Sequence, residues 1–397
     1  MFIRCCGAEV STATFTVVPV QETPVLLAVD GNSLVHRSFH SQASTGLRSG
    51  DGRPLWAIRG LLTQLVAAAE RICPAAIVVG FDDPVASHRR TRWPQYKAGR
   101  TEKLQTLVSQ LNGAADVLRS MGIAVVVPEG LEADDVLASA ARFAPRDGAR
   151  TVIMTSDRDS FALIDEHTAV LRIINGGVEA SPLLTPERLA MMLGIRPDQY
   201  CDYAALRGDP SDNLPGVKGI GAKTAARLLT ALGSATAVFE DLADGGERVI
   251  AAVGRAAAER LSQPEAKVAW ELNCQVMRMH SDLELGLDLS AGTGTLPLEA
   301  SAVAAAFRAH ELTWTTPAAL RCLAYQDPPE RPVEQAWAPA AGSFNAVENP
   351  ASLTGGRPAG PNRIPTDTAR SAVRRFGKLA KHAKQPKDAA VQLALFD

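Results

Sequence analysis

Nine carboxylates, Asp30, Asp82, Glu132, Asp134, Asp135, Asp157, Asp159, Asp209 and Asp212, fall in five short stretches of a 397-residue chain. Asp30 closes VLLAVD, Asp82 closes AAIVVGFD, and Asp157 and Asp159 follow an apolar run in TSDRD. Glu132, Asp134 and Asp135 open a helical stretch in EADD, and Asp209 and Asp212 share GDPSDN. Each group alone has a simpler use. Acids at a helix start favour the helix dipole, and Asp in a Gly/Pro/Ser loop is ordinary turn chemistry. If the stretches converge, the acids cannot all ionise side by side without cations. An all-oxygen set suits Mg²⁺, with Mn²⁺ as a substitute, better than zinc. Two such ions can clamp a phosphodiester, activate a water and stabilise the leaving oxygen.

A second group of residues is basic. Residues 87–103, SHRRTRWPQYKAGRTEK, hold six Lys or Arg against one Glu, with Trp93 and Tyr96 interleaved. A solvated loop is the plain reading. A segment that grips phosphates and stacks on an unpaired strand is the functional one. The glycine-dense turn Gly216-Val217-Lys218-Gly219-Ile220-Gly221 leads into Ala222-Lys223-Thr224-Ala225-Ala226-Arg227. A turn of this kind at a helix start exposes N–H groups that hold a phosphate, and Lys218, Lys223 and Arg227 add charge.

The elements that must position these residues are legible in outline. Short β-branched runs at 25–30, 75–82, 123–128, 151–157 and 169–174 alternate with helical spacing at 102–121 and 132–143. This pattern predicts an α/β domain with a parallel sheet over residues 25–184, with sites at the carboxyl ends of the strands. Thr185-Pro186-Glu187 marks a helix start, and residues 185–325 read as mainly helical, with no convincing strand. Residues 1–24 make a poor secretory signal and read as a loose N-terminal extension. Residues 326–397 hold nine prolines and no sustained apolar period, the composition of a disordered tail.

VDGN, GLEADDV, TSDRD and GDPSDNLPGVKGIGAKTA occur in that order. Together they resemble the bacterial 5′–3′ exonucleases, among them the 5′-nuclease domain at the N-terminus of DNA polymerase I, within the flap endonuclease superfamily. The resemblance implies a PIN-like α/β nuclease domain, then a helical region with a helix–hairpin–helix-type DNA-binding element. It implies a stand-alone enzyme, since no polymerase follows. It places Asp30, Asp82, Glu132 and Asp134 at the first metal, with Asp135 beside them. Asp157, Asp159, Asp212 and the neighbouring Asp209 fall at the second. Residues 87–103 match the arch through which a 5′ end passes. Arg89, Lys97 and Arg100 would steer and screen the scissile phosphate there, and Trp93 would stack. Arg37 and His40 resemble a substrate-side R-x-F/Y-H segment, although His40 could equally be structural. Gly216, Gly219 and Gly221, with Lys218, Lys223 and Arg227, would grip duplex DNA without reading bases, and a K⁺ ion would sit on that turn.

The expected activity is Mg²⁺-dependent 5′–3′ exonucleolytic and 5′-flap cleavage in the cytoplasm, with RNA–DNA primers as further substrates. A PIN-like ribonuclease and a non-catalytic DNA-junction module are the alternatives. The glycine-rich element argues against the first and the complete acid set against the second. At the chain end, Gln392, Leu393, Leu395 and Phe396 follow a basic stretch and resemble a motif that binds the bacterial sliding clamp.

Six cysteines, none paired as C-x-x-C, argue against a structural zinc site and suggest reduced thiols. No apolar run is long enough to span a membrane. The net charge of −2, from 41 Lys plus Arg and 43 Asp plus Glu, looks wrong for a nucleic-acid partner. It averages a concentrated acidic group with basic segments elsewhere.

Overall fold

The computed structural model describes residues 23–325. Residues 1–22 and 326–397, including the candidate clamp motif Gln392, Leu393, Leu395 and Phe396, lie outside the described residues.

β1 (Val25–Asp30) is buried at every position and sits at the centre of the sheet. α1 (Gly31–Gln42) starts at once, because the Asp30 side chain accepts the Ser33 N–H and caps it. Then follow α2 (Trp56–Ile72), β2 (Ala76–Gly80), the short α3 (His88–Arg92), α4 (Gln105–Ser120) and β3 (Ala124–Val126). α5 (Ala133–Phe143), β4 (Arg150–Thr155), β5 (Thr168–Arg172), α6 (Gly177–Ala180) and β6 (Leu183–Leu184) complete the sheet region. The strand order is β3-β2-β1-β4-β5-β6. The first five strands pair in parallel, as expected. β6 pairs antiparallel with β5 through Leu171↔Leu183, so the sheet is mixed. A two-residue strand carries no periodicity that a sequence could reveal.

Both faces are covered, which is why β1 and β2 read as continuous apolar runs. Leu27 and Val29 face α1, α2 and α4, whereas Leu26 and Ala28 face α5 and the helices beyond it.

The second stretch begins at α7 (Pro186–Leu193), whose Thr185 side chain caps the Arg188 N–H, a bond of this kind stabilising by about 1 kcal/mol. α8 (Tyr200–Arg207) leads to β7 (Gly208–Asp209) and β8 (Leu214–Pro215), a two-stranded ribbon where helix alone was expected. α9 (Ala222–Leu232), α10 (Ala235–Ala243), α11 (Glu247–Val253), α12 (Arg255–Leu261) and α13 (Pro264–Met277) follow. The chain then returns to the sheet. The Ile77 N–H donates to the Gly294 carbonyl, and the Leu296 N–H to the Ala75 carbonyl. α14 (Ala300–Ala309) and α15 (Thr316–Ala319) bury Val303, Phe307 and Ala319 in the same core as α2.

Candidate metal centre and nucleic-acid interface

Asp30 ends β1, and the stretches after β2 and β4 carry Asp82, Asp157 and Asp159 past the same edge. Glu132 and Asp134 reach it from the start of α5, and Asp212 from the β7–β8 ribbon. Glu132, Asp134, Asp159 and Asp212 line one small cavity together with Arg89 and Tyr96.

The acids act on one another. Burial pushes Asp30 up to about 7, and repulsion from Asp157 and Asp82 adds to the rise. Burial, with repulsion from Asp157, Asp30 and Asp159, holds Asp134 well above the usual carboxylate range. Asp159 is raised in the same way by burial and by Asp157, Asp209 and Asp212, and Asp157 by burial and by Asp212 and Asp209.

Hydrogen bonds hold several acids in fixed directions. Asp30 accepts from Ser33 N and from the Thr155 hydroxyl at 2.7 Å. Asp82 accepts from Asn32 Nδ2 and from the Ala133 N–H. Asp209 is turned onto Ser211, whose N–H and hydroxyl it accepts at 2.8 and 2.6 Å. Among the described residues, no three acids stand as a ready-made ligand group. Asp134 and Asp159, raised by burial and then by their neighbours and with no side-chain hydrogen bond among the described residues, are the clearest positions for a cation to relieve.

The basic loop divides into two kinds of cation. Arg89, expected on the substrate, is turned into the protein. It is only 7% exposed and donates to Glu132, to both oxygens of Asp135, and to the Val276 and Arg278 carbonyls. Asp135, expected beside the first-metal acids, is its main partner. Fully buried, it also accepts the Glu132 and His280 N–H groups. This pair ties the loop, α5 and the segment after α13 together.

Lys97 and Arg100 remain at the acids. Lys97 Nζ donates to Glu132 at 3.2 Å, and Arg100 pairs with Asp212. Burial opposes the charge of Lys97, but Glu132 and Asp212 outweigh it and raise its pKa. Trp93 is half-buried against a small cluster of Tyr96, Leu214 and Val276. His40 is exposed, and Arg37 is half-buried and donates to Asn175.

The glycine turn follows the ribbon. A side chain at Gly216 would put its Cβ 2.2 Å from the Arg207 carbonyl, and Gly219 has φ +78°. Both positions therefore need glycine. Lys218, Lys223 and Arg227 are all exposed, the first in the turn before α9 and the other two within it.

Two family models match consecutive parts of this fold. One, the 5′–3′ exonuclease N-terminal resolvase-like domain, covers residues 25–192. The other, the 5′–3′ exonuclease C-terminal SAM fold, covers 195–297. The chain belongs to the 5′–3′ exonuclease family. The thermostable DNA polymerase I of Thermus aquaticus is 37% identical over 265 residues, which are 67% of this chain and 30% of that protein. DNA polymerase I of Mycobacterium tuberculosis strain H37Rv is 36% identical over 219 residues, 55% of this chain and 24% of that protein. The chain thus spans less than a third of the length of these curated relatives. T5 5′-exonuclease, solved with divalent metal ions (zinc) bound, has the same fold, with TM-score 0.52 and 18% identity over 65% of this chain and 90% of that one.

The 5′–3′ exonuclease models meet within two residues of the end of α7, and the second stops just before α14. Several supporting residues of the site carry no signal, or a misleading one, in the sequence. Tyr96 Oη donates to Glu132 at 3.1 Å from a buried ring, and Asn32 both donates to Asp82 and accepts its N–H. Asn32 could have been found, since it lies in VDGN. Tyr96 looked like a stacking residue, and nothing local betrays that it turns inward.

Proposed function

We propose that this chain is a metal-dependent 5′–3′ exonuclease that also cleaves 5′ flaps, acting on DNA phosphodiesters at duplex or flapped ends. The observation that carries the reading is the meeting of acids from β1, β2, β4, α5 and the ribbon at one edge, with Lys97 and Arg100 against them. Asp30, Asp82, Glu132 and Asp134 would hold one Mg²⁺, and Asp157, Asp159, Asp209 and Asp212 a second, with Mn²⁺ as a substitute. Bound there, such ions would activate a water and neutralise the charge that develops on the phosphate. Lys97 and Arg100 orient the scissile phosphate and balance its charge. Lys218, Lys223, Arg227 and the glycine turn hold the duplex by its phosphates, and K⁺ would sit on that turn's carbonyls. Contacts of this kind favour DNA structure over sequence.

The direct test is cleavage of a labelled 5′-flap duplex with Mg²⁺ by the wild type, Asp134→Asn and Asp159→Asn. We expect cleavage that EDTA abolishes and that falls about 10²-fold or more in each variant, the usual scale for losing transition-state electrostatics. Flap cleavage by the variants at the wild-type rate would displace the site. Tight flap binding without cleavage by any protein would make the chain a junction-binding module, and cleavage of RNA alone a ribonuclease.

The C-terminal motif supports a second partner, the bacterial sliding clamp. Removing residues 392–397 is expected to abolish capture by immobilised clamp while leaving cleavage of short substrates intact. Unchanged capture ends that assignment. No helix among the described residues is long and apolar enough to cross a membrane, and action in the cytoplasm at the nucleoid follows from the proposed substrate.

A further inference from the structure

The carboxyl edge of the sheet changes sign along its length. In strand order it presents Asp82 after β2, Asp30 in β1, Asp157 after β4, and then Arg172 at the end of β5. The switch from acid to base takes one strand spacing, about 4.8 Å.

Arg172 has company. Arg158 lies exposed between Asp157 and Asp159, and Arg37 comes across from α1 with its Nη2 on Asn175 Oδ1 at 2.8 Å. Burial and then repulsion from Arg158 and Arg37 lower the pKa of Arg172. None of the three guanidinium groups is paired with a carboxylate among the described residues. Arg172 Nε is buried with no hydrogen-bond partner. Its guanidinium carbon stands 5.8 Å from the centre of the Phe161 ring, so the group is held in place without being neutralised. Ala169 and Leu171 point to the opposite core, which fixes the face that Arg172 takes.

Three gathered cations with unused donors are costly unless an anion completes them. A guanidinium matches phosphate oxygens in a bidentate fork. Neighbouring carboxylates on the same edge are reserved for the reacting phosphate. A strand lying along that edge would present its next phosphate to the arginines.

We propose that Arg37, Arg158 and Arg172 form a second phosphate site, which holds a phosphate of the bound strand next to the scissile one. The site rests on the nuclease reading above. Its ligand is either the 5′-terminal monophosphate or an internal phosphodiester, and the two are separable.

The test measures the affinity of the full chain for a fluorescent 5′-flap duplex in EDTA across a salt series. Arg158→Ala removes an exposed side chain and cannot unfold the core. Arg172→Gln removes the half-buried charge, and Arg172→Lys restores it without the fork. We expect Arg158→Ala and Arg172→Gln each to weaken binding about 5–10-fold, as for loss of a charge-assisted hydrogen bond. The salt slope should fall by about 0.9 for each phosphate that is no longer neutralised. Arg172→Lys should recover part of the affinity. Neutral methylphosphonates are then placed at one linkage at a time. One position should cost the wild type the same factor and cost Arg172→Gln nothing more. If a 5′-hydroxyl end reproduces that effect, the ligand is the terminal phosphate. If only an internal methylphosphonate does, it is an internal one. Wild-type affinity and salt slope in both Arg158→Ala and Arg172→Gln would overturn the proposal. Mg²⁺ cleavage by the wild type, run in parallel, judges the nuclease reading separately, because the binding comparison needs no turnover.

Discussion

Arg89 and Lys97 share a loop and a partner, Glu132, yet their surroundings give them different work. Arg89 uses all three guanidinium nitrogens on protein acceptors and is almost fully buried. Removing one partner of such a pair leaves Glu132 and Asp135 with uncompensated charge, at a cost of about 3–5 kcal/mol. The Lys97 side chain makes one hydrogen bond, to the acid that faces the cavity. We therefore expect Arg89→Met to lower the melting temperature sharply and to lose activity only in proportion to the folded fraction. Lys97→Met should change melting little and cut turnover about 10²-fold. Thermal melts beside single-turnover cleavage decide this. Equal melting temperatures for the two variants would mean that Arg89 is not the structural member. The sequence presented both as equivalent loop cations, because burial depends on what the distant residues Val276 and Arg278 bring to the loop.

At the level of elements, the loop and the β7–β8 ribbon are locked together. The Lys97 N–H donates to the Asp212 carbonyl, Asn213 Nδ2 donates to the Gln95 carbonyl, and both Lys97 and Asn213 take positive φ. The ribbon therefore sets the position of Asp212 against Arg100. Its own geometry depends on the close approach of Gly216 to Arg207 and Gly208. Gly216→Ala should push β8 from β7, lower the melting temperature by several degrees and move Asp212 out of register. Gly221→Ala is the matched control, since a Cβ there meets nothing within 4 Å and the backbone φ is −94°. Indistinguishable melts for the two would refute the coupling. The parallel sheet was largely readable because β1, β2 and β4 end their apolar runs in acids. The ribbon and β6 were not, being two residues per strand. Nor was the return of residues 294–323 to the first core, since their apolar residues name no partner.

Across the whole molecule, the formal charge of −2 conceals a fold that concentrates its acids at one edge. This ties stability to pH and to cations. Asp30 has a folded pKa of about 7 against an ordinary 3.8, so between those values the folded chain binds more protons than the unfolded one. Stability from this group is therefore full below about pH 4 and is lost as pH rises towards 7. Asp134 and Asp159, raised in the same direction, act with it. A divalent cation prefers the deprotonated acids, so its effect runs the opposite way. Melting in 10 mM MgCl₂ minus melting in EDTA should thus be small at pH 5 and several degrees larger at pH 8. For Asp134→Asn the difference at pH 8 should shrink, and without Mg²⁺ this variant should melt above the wild type at that pH, because a repelling charge is gone. A Mg²⁺ increment that is flat from pH 5 to 8, or larger at pH 5, would show that the acid edge is not where the cation binds.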